Sequence, residues 1–80
     1  MKTEKIPMNA IVVSTRYYER SHWTTPKGRG MYGFSIGNTE AVDDVMKAWW
    51  TKGRVTYTEA CRQAKKEAQS RGVSVVYVLP

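Results

Sequence analysis

The stretch from Val55 to Leu79 places the tightest constraint on any fold this chain can adopt, because it marks out a helix at both ends and a strand after it. Thr56-Tyr57-Thr58-Glu59 fits a capping box, in which the Thr56 hydroxyl and the Glu59 carboxylate each satisfy an orphan backbone N–H and Val55 staples onto Ala60. Tyr57, Ala60, Cys61, Ala64 and Ala68 recur at helical spacing as a stripe of mostly small side chains, suited to close packing on a sheet or on another helix. Gly72 fits the C′ position, and Val73–Leu79, apolar on both faces apart from Ser74, predicts a strand that is well covered or central.

The preceding sequence must supply partners for these two elements. Ala10–Tyr18 is dense in β-branched and aromatic residues, with Ile11, Val13, Thr15 and Tyr17 on one face, and predicts a first strand. Residues 19–30 hold turn formers without apolar period and read as a long hairpin loop. Met31–Ile36 returns to alternation as a second strand pairing with the first, and Gly33 marks a bulge or a close backbone approach. Asn38 or Thr39 caps a predicted helix whose first turns carry Glu40, Asp43 and Asp44. Val42, Val45, Met46 and Trp49 form its apolar stripe, and it runs to about Lys52. Trp50 then falls at the flank of the stripe, where it closes the gap between the two helices or stands as an interface anchor.

The expected fold is therefore an α+β, two-layer domain in the order ββααβ, with two helices packed on one face of a three-stranded sheet. If each helix reverses the chain, the third strand runs antiparallel to the second and parallel to the first. Eighty residues are expected to make one domain, with residues 1–7 as a loose lead-in.

Composition narrows the classes of function. A 41% hydrophobic content with nine aromatics is that of a globular chain. Cys61 has no partner for an internal disulfide, and with no signal peptide evident an intracellular, cytoplasmic setting is expected. No apolar run approaches the roughly 20 residues of a membrane span. Thirteen Lys and Arg against seven Asp and Glu give +6, a field that attracts anionic partners.

Most site chemistry finds no support. A structural zinc site needs four Cys or His ligands, and the chain has only His22 and Cys61, so neither metal nor cofactor is expected. Cys61 lies on the small-residue stripe, which makes it a core residue rather than a nucleophile. Gly28-Arg29-Gly30 and Gly33 match no phosphate-binding loop. A remote enzymatic reading is a small ribonuclease using His22, which lies between Arg20 and Lys27 with Glu19 close by.

Two surfaces stand out as binding candidates. Arg16, Arg20, Lys27 and Arg29 surround Tyr18, His22 and Trp23 in the first strand and its loop, a mixture in which cations neutralise phosphates and rings stack on bases. Arg62, Lys65 and Lys66 lie together on the outer face of the second helix, with Arg54 and Arg71 near its ends. The leading expectation is a non-enzymatic module that binds nucleic acid or a nucleoprotein complex. A protein partner, anchored by the loop aromatics and Trp50, is the rival. In general appearance the chain resembles short phage-encoded inhibitors of host machinery, anti-CRISPR proteins among them. That resemblance implies direct protein–protein inhibition and assigns no site residue.

Overall fold

The computed structural model describes residues 6–24 and 26–80. Strand β1 (Val12–Ser14) leads into helix α1 (Arg16–His22), then β2 (Arg29–Gly30) and β3 (Gly33–Ile36). Helix α2 (Glu40–Asp43) is a single turn, followed by a 3₁₀ turn (Val45–Lys47), β4 (Trp49–Trp50) and β5 (Val55–Thr56). Helix α3 (Tyr57–Arg71) and strand β6 (Val75–Val78) complete an α+β domain. The main sheet has four strands in the order β1-β6-β3-β4, and β2 pairs with β5 in a separate two-stranded ladder.

Helix α3 and β6 form where the sequence places them. The Thr56 hydroxyl accepts from the Glu59 N–H at 3.2 Å. The reciprocal half of the capping box is absent among the described residues, and the Glu59 carboxylate instead accepts from Nε and Nη2 of Arg62, at 2.9 and 2.7 Å, and from the Gln63 amide at 3.2 Å. Gly72, at φ 71°, ends the helix in a Schellman motif: its N–H donates to the Gln69 carbonyl and the Val73 N–H to that of Ala68. Strand β6 is internal, parallel to β1 and antiparallel to β3, the directions expected from the chain reversals.

The core lies between α3 and one face of the sheet. Ala60, Ala64 and Ala68 have no exposed surface and form one cluster with Ile11, Phe34, Ile36, Val76 and Val78. Ser35 and Tyr77 are register partners, so by alternation they share the opposite face. There the Ser35 hydroxyl accepts from the Ala41 N–H of α2, and the Tyr17 ring of α1 meets Tyr77 edge-on at 5.9 Å. The helices thus reach both faces of the sheet, not one.

Four expectations are corrected. The first strand stops at Ser14, and Arg16–His22 is helical. Its β-prone residues are overridden by packing, since the helical spacing lets Tyr17 reach Tyr77 while Tyr18 stacks on His22. The expected first and second strands, now β1 and β3, do not form a hairpin, because β6 lies between them in a sheet of four strands rather than three. The expected helix of residues 40–52 ends after one turn: Asp44 adopts an extended backbone and its carboxylate accepts from the Met46 N–H, an alternative that competes with the helical ladder. Its supposed buried stripe is open, with Val45 and Met46 exposed, and Trp49 pairs with Phe34 in the sheet. The residue 1–7 lead-in is in part outside the described residues, but Ile6 packs on the core and its carbonyl accepts from Gln69 at 2.7 Å.

Gly33 supplies the close approach anticipated for it. A Cβ there would lie 2.8 Å from the Trp50 ring and 3.0 Å from Leu79. Trp50 therefore covers the sheet at Gly33 rather than bridging two helices, and remains 45% exposed.

Enlarging the alanine face tests this core. Ala64→Leu is expected to destabilise the domain by about 1–3 kcal/mol through overpacking, measured by urea denaturation. Lys66→Ala, on the outer surface, should stay within about 0.5 kcal/mol of the parent.

Candidate functional site

Strand direction gathers several cationic segments at one end of the sheet. Helix α1 directly follows the carboxyl end of β1, and β2 immediately precedes the amino end of β3. Because β1 and β6 are parallel and β3 is antiparallel to β6, those two ends coincide. The β2–β5 ladder, with Arg29 opposite Thr56 and Gly30 opposite Val55, then brings Arg54 and the start of α3 to the same place.

Helix α1 sorts its side chains by face. Arg16, Arg20 and Trp23 recur at i, i+4 and i+7 and are all exposed. Tyr18 is half-buried against the core and stacks on His22 with ring centroids 4.2 Å apart. Among the described residues His22 makes no side-chain hydrogen bond. Glu19, the sole acid of the helix, accepts from the Thr15 hydroxyl.

Trp23 caps the helix in a left-handed conformation, φ 59° and ψ 21°, donating its N–H to the Glu19 carbonyl at 2.8 Å. It is the only non-glycine residue of the described chain at positive φ. Its side chain is 91% exposed, so the ring gains almost no packing in return. An L-residue held there costs about 1–2 kcal/mol, a strain that glycine avoids.

Tyrosines fix the loop that follows. The Tyr32 hydroxyl donates a shared bond to the carbonyls of Lys27 and Gly28, each at 2.9 Å. Its ring lies 5.5 Å from that of Tyr57 in the first turn of α3. Burial, then the Cys61 thiol beside it, raises the Tyr57 pKa well above the usual phenol range. Burial also raises the Tyr32 phenol, with smaller contributions from Tyr18 and Cys61. Cys61 is itself pushed up by burial, which favours the neutral thiol.

The structure thus places Arg16, Tyr18, Arg20, His22, Trp23, Lys27 and Arg29 at one end of the sheet, on a short helix and the segment after it, not on a hairpin between two paired strands. Thr25, within the expected loop, lies outside the described residues. Arg54 joins this group, which sequence reasoning had placed with α3. The β2–β5 ladder that moves it is two residues long on each side, too short for alternation to reveal.

The other candidates lie elsewhere. On α3, Arg62 is bound to Glu59 and Arg71 to Glu67, each at 2.7 Å, so part of that basic face is compensated on its own helix. Glu59 is correspondingly held below the usual carboxylate range, first by its bond from Arg62. Lys65 and Lys66 flank different grooves, Lys65 beside Tyr57 and Cys61, Lys66 beside Trp49 and Lys52. Trp50 sits on the sheet at Gly33.

Among the described residues, no group of three His, Cys, Asp or Glu side chains is placed to hold a metal ion, and no helix is long and apolar enough to cross a membrane. No protein-family model matches the chain, and no significant match is found among curated proteins or solved structures.

The cap geometry yields a stability prediction. Trp23→Gly should raise stability by about 0.5–1 kcal/mol, relief of the left-handed backbone outweighing the added freedom of the unfolded chain. Thermal unfolding of the two proteins checks this, and a lower midpoint for the glycine variant would show that the indole stabilises the fold.

Proposed function

We propose that the α1 end of the domain binds nucleic acid, free or within a nucleoprotein complex, without catalysing a reaction. The observation that carries this reading is that strand direction brings the segments bearing Arg16, Arg20, Lys27, Arg29 and Arg54 to one end of the sheet, where α1 also carries an exposed indole. Among the described residues none of these five cations is in an ion pair, while Lys47, Arg62 and Arg71 all are. Cations without protein partners are free to neutralise phosphates, which releases the counterions condensed on the nucleic acid. The neighbouring Trp adds a flat surface on which a base can stack.

The non-catalytic part is supported by His22, whose ring stacks on Tyr18 and, among the described residues, has no hydrogen-bonded partner to orient it as a general base. Recovery of intact RNA after prolonged incubation is the expected result, whereas cleavage lost in His22→Ala would establish the ribonuclease reading instead.

A protein-directed inhibitor or adaptor is the second reading, favoured by the half-exposed Trp50 and the exposed Met46. Salt separates the two. Contact with four or five phosphates predicts that log K falls with log salt at a slope of about −3 to −3.5 for a single strand and about −3.5 to −4.5 for a duplex. The triple substitution of Arg20, Lys27 and Arg29 by Ala should reduce that slope by about 2 with little loss of stability. A flat salt response to every oligonucleotide tried would favour the protein-directed reading.

A further inference from the structure

We infer that this same surface selects single-stranded over double-stranded nucleic acid, with Trp23 as the stacking platform; the inference rests on the nucleic-acid reading above. Trp23 is the most exposed of the large apolar side chains among the described residues. It occupies a backbone conformation that a bulky residue adopts at a cost, and the fold recovers almost none of that cost through packing. The ring is therefore presented outward at the carboxyl end of α1, on the same helix as Arg16 and Arg20.

The face of an unpaired base matches such a ring. In a duplex the bases are stacked on one another and offer only their edges, through the grooves. An indole can enter a duplex only by wedging a base step apart, which carries an unstacking cost. In a single strand the base faces are already available, and stacking tolerates any sequence because every base has a π-face.

The remaining geometry points the same way. Helix α1 has seven residues, about 10 Å of helix. The recognition helix of a helix-turn-helix presents its amino-terminal residues to base edges. The start of α1 is instead tied into the sheet, one residue after β1, with Tyr17 against Tyr77. What the helix presents outward is its carboxyl end, carrying Arg20 and Trp23, next to the loop that Tyr32 holds at Lys27 and Gly28. Phosphates on Arg20, Lys27 and Arg29 would keep a strand across the ring.

Fluorescence anisotropy of the full chain with three labelled probes tests this: a mixed-sequence DNA single strand of about 16 nucleotides, the RNA of the same sequence, and the blunt DNA duplex. The expected result is that at least one single strand binds about tenfold or more tighter than the duplex, the comparison of DNA with RNA identifying the preferred sugar. Trp23→Gly should bring single-strand affinity down to the duplex level while keeping the fold, and Trp23→Phe should restore most of it. Equal or tighter duplex binding, or full single-strand affinity in Trp23→Gly, would overturn the inference while leaving nucleic-acid binding in place. Failure of all three probes to bind would overturn the nucleic-acid reading as well.

Discussion

The approach of helix α3 to the sheet through its alanine face governs the rest of the structure. Ala60, Ala64 and Ala68 carry a single methyl group each and have no exposed surface, so the helix backbone comes close to Phe34, Ile36, Val76 and Val78. A small domain has few large side chains to bury, and a close helix–sheet contact makes the most of them. Gly33 works in the same way on the opposite face, where the absence of a Cβ lets Trp50 lie against the strand.

The position of α3 also orients the candidate interface. Its first turn sets Tyr57, Tyr57 lies beside Tyr32, and Tyr32 holds the Lys27 and Gly28 carbonyls. The loop cations are thereby fixed to the core through two aromatic rings rather than left on a mobile arm. Charge is distributed to match: acids on α3 engage Arg62 and Arg71, whereas the one acid of α1 engages Thr15. Of the described cations in no ion pair, Arg16, Arg20, Lys27, Arg29 and Arg54 belong to the segments at the α1 end, against Lys52, Lys65 and Lys66 elsewhere.

Legibility in the sequence followed the length and locality of each signal. Helix α3 spans fifteen residues with a cap at either end, and β6 is a continuous apolar run; both could be read directly. Their partners could not. Arg16–His22 looks like a strand by residue type, and its helical state depends on Tyr17 meeting Tyr77, sixty residues away. Val42, Val45, Met46 and Trp49 have helical spacing, yet the Asp44 carboxylate diverts the backbone and Trp49 joins the sheet. At the candidate site the residue types were visible, but the left-handed Trp23 and the regrouping of Arg54 were not, since one is a cap geometry and the other a two-residue ladder.

The central claim is that the α1 end, and not the outer face of α3 or the Trp50 face, meets the partner. The most direct test is a backbone amide NMR titration with a short single-stranded oligonucleotide at low salt. Shift changes should concentrate at Arg16–Thr24, Lys27–Gly30 and Arg54. Changes confined to the α3 surface around Lys65 and Lys66, or to Trp50 and its neighbours, would contradict it.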